Sequence, residues 1–245
     1  MRIGMFCAAL LALATPALAA GTGGPYGWVQ LDNEKFDLQF EQISDMIYSI
    51  VPQEFVFGDG SVRVAGRVNL DPSISLSLVF TDLNAPTSLV ASIAAPLGVP
   101  IGVPNVASSA LSGSMMDATG DGVSLAPLGG PVLEGFPDLS MSPWLGVGIG
   151  TWEGHGPAEG GATYPYGPYA AGPVAGPGPG PWNWLILQMA FKGSGGGDEY
   201  QMDGLIVFEP GRNEVPEPGA LALALAAVVP ATVVVRRKMA ARRAM

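Results

Sequence analysis

The chain is expected to be mainly β, with an antiparallel β-sandwich or jelly-roll-like body between an N-terminal signal helix and a single C-terminal transmembrane helix. Three observations carry this. Apolar residues in the middle of the 245-residue chain recur with period two, the mark of half-buried strands. Glycine, proline and Asx clusters punctuate these runs at short intervals, as in sandwiches and jelly rolls. Two apolar stretches of different length sit at the two ends, each beside basic residues.

The first element is Met1-Arg2 followed by an apolar run from Ile3 to Leu13 and then Ala17-Leu18-Ala19-Ala20. A short charged start, an apolar segment too short for a bilayer core and small residues at Ala17 and Ala19 describe a signal peptide over residues 1–19, cut after Ala19. Cys7, the only cysteine, lies inside it, so the exported chain has no disulfide, reactive thiol or cysteine-bound metal.

The body spans residues 20–214, enough for one domain. Val62-Arg63-Val64, Ile74 to Phe80, Leu89 to Ile93 and Tyr200-Gln201-Met202 alternate as strands, separated by turn sequences such as Gly58-Asp59-Gly60, Asp71-Pro72 and Asn84-Ala85-Pro86. Phe36, Leu38 and Phe40 alternate too, but Ile43, Met46, Ile47 and Ile50 keep helical spacing, so a short helix is expected after that strand. Prolines at 96, 100 and 104 predict an exposed connection. Residues 154–181 hold nine glycines and seven prolines and predict a long irregular loop, with Tyr164, Tyr166 and Tyr169 in a spacer. The glycine-rich segment from Gly193 to Asp198 reads as a hairpin loop between Trp184–Lys192 and Glu199–Glu209.

The last element, residues 215–245, begins Val215-Pro216-Glu217-Pro218 and continues as an uncharged stretch from Gly219 to Val235 and the cluster Arg236-Arg237-Lys238. As a helix the stretch would be about 25 Å long, close to a bilayer core once flanking arginines snorkel. Pro230 would bend it, which membrane helices tolerate. Residues 20–218 carry five basic and twenty-one acidic residues, whereas five basic residues follow Val235. This asymmetry puts the tail in the cytoplasm and the acidic body outside. The two prolines also keep the peptide ahead of the helix extended, a form that a protease cleft can bind.

Taken in this order, the Pro-Glu-Pro motif, apolar helix and basic cluster resemble the PEP-CTERM sorting signal of Gram-negative bacteria. The resemblance implies an exosortase as partner, residence in the membrane before transfer to the cell surface or beyond, and extracellular polysaccharide in the surroundings. The segments from Ser108 to Ser124 and from Phe191 to Gly195 are similar to stretches of other exported proteins with this signal.

Chemistry is sparse. His155 is the only histidine and is flanked by glycines, which offer a catalytic imidazole no rigid support. Asp117, Thr119 and Asp121, with Gly122, have the alternating oxygen spacing of a calcium loop, but Leu128 stands where an EF-hand needs glutamate. What remains is a loose calcium turn beside the plainer reading of an Asx/Gly hairpin turn. No other cofactor or metal is implied. Asp198, Glu199 and Asp203 read as solvated charges beside a glycine loop rather than a hydrolytic pair. An acidic body without a basic cluster argues against nucleic acid as a partner. The expectation is a non-enzymatic exported protein of structural or adhesive role. The alternative is a carbohydrate-binding module using Trp144, Trp152, Trp182 or Trp184 as sugar platforms.

Overall fold

The computed structural model describes residues 23–142 and 144–211. The signal peptide with Ala17 and Ala19, the sorting motif Val215 to Pro218, the apolar stretch 219–235 and the cluster Arg236-Arg237-Lys238 lie outside the described residues. Among the described residues there is no helix long and apolar enough to cross a membrane.

Two antiparallel sheets pack as a sandwich. β1 (Tyr26–Leu31) and β2 (Glu34–Asp37) form a hairpin in the first sheet. The chain then runs through the second sheet as a meander of β3 (Phe40–Ser44), β4 (Ile47–Phe57), β5 (Gly60–Asn69) and β6 (Ser73–Asp82). From there it changes sheets repeatedly. β7 (Ser88–Ile101) joins the first sheet beside β1, and β8 (Asn105–Met116) returns to the second. β9 (Ser124–Pro127), β10 (Leu133–Phe136) and β11 (Gly154–His155) complete the first sheet's far side. β12 (Thr163–Ala175) edges the second sheet, β13 (Trp182–Lys192) lies beside β7, and β14 (Asp198–Pro210) lies between β6 and β8. The first sheet has the order β11-β9-β13-β7-β1-β2, with β10 also on β13; the second has β12-β8-β14-β6-β5-β4-β3.

Period-two alternation builds the core between them. Ile74, Leu76, Leu78 and Phe80 of β6 and Tyr200, Met202, Ile206 and Phe208 of β14 face inward, opposed by Leu89, Ala91 and Ile93 of β7 and Leu185, Leu187, Met189 and Phe191 of β13. Phe80, Phe191 and Tyr200 meet as an aromatic trio with ring centroids 5.6 to 6.0 Å apart.

Four local expectations are corrected. No helix follows Phe40: a turn at Asp45-Met46 joins β3 to β4, and Ile50 is buried while Ile43 is 59% exposed. The eleven residues of β4 gain a ladder to β5, and a register shift between Ile50 and Gln53 accommodates Pro52, which has no N–H to donate. Pro96 and Pro100 lie within β7 rather than in a connection, and Pro96 pairs with Trp184. Past Ala94, β1 no longer flanks β7, so these prolines have no ladder to break on that side. Much of 154–181 is not irregular: β12 pairs with β8 along its length, with register shifts around Gly167-Pro168 and Gly172-Pro173. Its edge position is where prolines belong in a sheet. Tyr166 is therefore core, 2% exposed, its hydroxyl donating to the Trp152 carbonyl at 2.9 Å. Finally, β13 and β14 do not form a hairpin. They belong to different sheets, and Gly193 to Gly197 carries the chain across the end of the sandwich.

Candidate functional site

That crossing covers the most unusual chemistry in the body. The inward-facing positions of three neighbouring strands each end in an aspartate: Asp82 follows Phe80 on β6, Asp198 precedes Tyr200 on β14, and Asp117 follows Met115 just past β8. Asp82 is the register partner of Asp198, and Glu199 is the partner of Met116, which sets Asp117 opposite Asp198. The three carboxylates thus form a row across the sheet, 0%, 1% and 0% exposed respectively.

Each is held differently. The Asp117 Oδ1 accepts N–H bonds from Thr119 (3.2 Å) and Gly120 (2.7 Å), and its Oδ2 from Gly122 (3.0 Å) and Glu159 (2.9 Å). Four donors fill the lone-pair sites of one carboxylate. Gly120 and Gly122 have φ of +87° and +98°, a region glycine enters without steric cost, so the chain can wrap around this side chain. Asp198 accepts from the Ala118 N–H (3.1 Å) and the Ser194 hydroxyl (2.6 Å), leaving lone pairs on both oxygens. Asp82 accepts N–H bonds from Thr87 (3.1 Å) and Gly195 (2.9 Å) on Oδ2, whereas its buried Oδ1 has no partner. Gly195 stands at φ +83°, and a Cβ there would lie 2.6 Å from the Asn84 carbonyl. The loop is anchored by Tyr200, whose hydroxyl accepts the Ser194 N–H (2.7 Å) and donates to the Ser124 carbonyl (2.9 Å).

Asp121 completes the cluster from the solvent side. It is exposed, accepts the Thr119 hydroxyl, and offers an oxygen within 4.8 Å of oxygens of Asp117 and Asp198. The structure therefore brings Asp117, Thr119 and Asp121 together and adds Asp198, Asp82 and Ser194, which sequence reasoning missed. The reading of Asp198 as a solvated charge is corrected, since it occupies an inward position, while Asp203 is exposed and accepts the Ser77 hydroxyl at 2.6 Å. The missed signal was parity. In Phe80-Thr81-Asp82 and Asp198-Glu199-Tyr200 the aspartate shares the face of a core aromatic.

Among the described residues no basic group balances this row. The one ion pair among the described residues joins His155 Nε2 to Glu153 Oε2 at 3.2 Å, on exposed side chains. Burial pushes the carboxyls of Asp82 and Asp198 above the usual aspartate range, and the neighbouring carboxylates add to that. Burial would raise Asp117 too, but its four backbone N–H donors outweigh it and hold the group below that range.

The four tryptophans expected as sugar platforms divide into two pairs. Trp182 is half-buried with its Nε1 donating to the Pro177 carbonyl (3.0 Å), and Trp184 packs edge-on against Tyr26. Trp144 and Trp152, between β10 and β11, are 48% and 75% exposed. No protein family, curated protein or solved structure matches this chain.

Proposed function

We propose that the chain is an exported, non-enzymatic envelope protein of structural or adhesive role. Its jelly-roll-like sandwich is displayed outside a Gram-negative cell, and its C-terminal segment is a PEP-CTERM-type signal read by an exosortase. The observation that carries this is the order of four features: a signal peptide, an acidic body, Val215-Pro216-Glu217-Pro218 with the apolar stretch behind it, and the basic cluster from Arg236. A two-sheet sandwich body suits this reading, because the chain's one cysteine, Cys7, lies in the signal peptide and the fold needs no disulfide to persist outside the cell. Intact-mass measurement of the protein from its native host tests it. The expected species begins at Ala20 and ends near Pro218, or retains Met245 as a membrane-anchored intermediate. A soluble cytoplasmic species still carrying Met1 would refute the proposal.

Carbohydrate binding is the second reading, favoured by the exposure of Trp152 and Trp144. An indole face left in water is a platform on which sugar rings stack. In a glycan-array screen of the exported chain, saturable binding that Trp152→Ala removes is the expected result. Binding unaffected by that change, or none, excludes these tryptophans as the platform.

A further inference from the structure

The row of aspartates is a burial that the described residues do not balance. Taking a carboxylate out of water is costly unless a counter-charge or hydrogen bonds compensate it, and here three stand side by side. Lys35, Arg63, Arg67 and Lys192 are the only basic residues among those described apart from His155, and none forms an ion pair with any of the three. Hydrogen bonds satisfy Asp117 completely and Asp198 in part. They leave Asp82 with a fully buried, unpartnered Oδ1. Directly opposed residues on antiparallel strands hold their Cβ atoms about 5 Å apart on one face, so Asp82 stands beside Asp198 on the adjoining strand. A positive charge is what this arrangement lacks among the described residues.

We propose that this end of the sandwich binds one calcium ion, ligated by Asp198 and Asp121 with Thr119 beside them, while Asp117 and Asp82 supply further negative charge. The donors are all oxygen, which selects a hard cation over zinc or copper. Calcium takes ligands at about 2.3–2.6 Å, so oxygens sharing one ion stand no more than about 5 Å apart. The oxygens of Asp117, Asp121 and Asp198 meet that limit, lying within 4.8 Å of one another. Asp117 is the anchor of the turn rather than a ligand, because its lone pairs are spent on four N–H groups. Asp121 lies on the open side, where water completes the shell. A Cβ on Gly196 would come within 3.4 Å of the Asp121 Oδ2 and the Thr119 Oγ1, so glycine there leaves the approach to these oxygens clear. Two or three protein ligands predict an affinity of about 0.1–1 mM, the range of extracellular calcium modules.

Calorimetric titration of calcium chloride into the metal-free full-length chain in detergent tests this. One saturable site is expected, together with a rise in unfolding temperature that equal magnesium does not reproduce. Asp121→Asn is expected to weaken binding by about tenfold or more, with the unfolding temperature in chelator unchanged because the residue is exposed. Asp198→Asn should weaken it too, and if that variant fails to fold, the Asp121 variant decides. Asp203→Asn, an exposed carboxylate on the outer face of the same strand, is expected to bind like the parent. Absence of saturable binding up to about 10 mM, well above the affinity range of such modules, overturns the proposal. Undiminished affinity in Asp121→Asn does so as well.

Discussion

Asp117→Ala is expected to lower the urea midpoint of unfolding by about 1 M or more, one of the two largest single-residue effects in this protein. The cause is not a lost ion pair. Alanine would leave the N–H groups of Thr119, Gly120, Gly122 and Glu159 without their common acceptor. A donor left unsatisfied in this part-buried turn costs more than a hydrogen bond gains on being formed. The lost acceptor also joins two separate segments, the turn after β8 and the approach to β12, so both would loosen together. Asp117→Asn keeps one acceptor oxygen and should fall between the parent and the alanine variant. Asp121→Asn, exposed and outside this donor set, should unfold like the parent when chelator is present. Equilibrium urea unfolding followed by tryptophan fluorescence orders the series. An alanine variant no less stable than the asparagine one would mean that water takes over all four donors.

The strands in the centre of the body were legible because their alternation is long and regular. Ile74 to Phe80 and Tyr200 to Met202 face the core with the parity the sequence implies. Elsewhere tertiary pairing overrode local signals. Ile43, Met46, Ile47 and Ile50 have helical spacing, but backbone partners on β5 outweighed it once the meander had formed. The prolines of β12 and the end of β7 suggest loops in isolation; whether a strand has an open side is a property of the sheet, which spacing along the chain does not reveal. The glycine loop at Gly193 misled for a related reason, because a connection within one sheet and a crossing between two have the same turn chemistry.

The candidate site was half legible. Asp117, Thr119 and Asp121 are adjacent in sequence, so their oxygen spacing could be read directly. Asp82 and Asp198 come from positions far apart in the chain, and only the pairing of β6, β14 and β8 aligns them. Polarity favoured a solvated reading of Asp198, whereas the parity of both residues pointed inward; parity proved the better guide because strand registry leaves a side chain no other face.

The row also depends on what lies behind it, and Phe80→Ala probes that dependence. Phe80 is fully buried, one inward position from Asp82, with its ring stacked on Tyr200 at 5.6 Å and edge-on to Phe191 at 6.0 Å. Truncating such a residue removes its transfer free energy and leaves a cavity, at a cost of about 3–5 kcal/mol. The change should alter the pH dependence of stability as well. In the parent, the raised carboxyls of Asp82 and Asp198, and of half-buried Glu134, bind protons more tightly folded than unfolded. Their contribution is full below the ordinary carboxylate range and is lost as pH rises through their folded values. Asp117 has the opposite sign, its contribution being lost as pH falls through its depressed value. Metal-free stability is therefore expected to decline from the ordinary aspartate range toward neutral pH. The cavity of Phe80→Ala admits water beside Asp82, which lowers that group toward its ordinary value and flattens the decline. Asp82→Asn removes its share of the decline while keeping the core intact. Urea unfolding of the three proteins in chelator from pH 4 to 7 separates a general loss of packing, which shifts the curve without changing its slope, from loss of the apolar backing that keeps the aspartates hard to ionise.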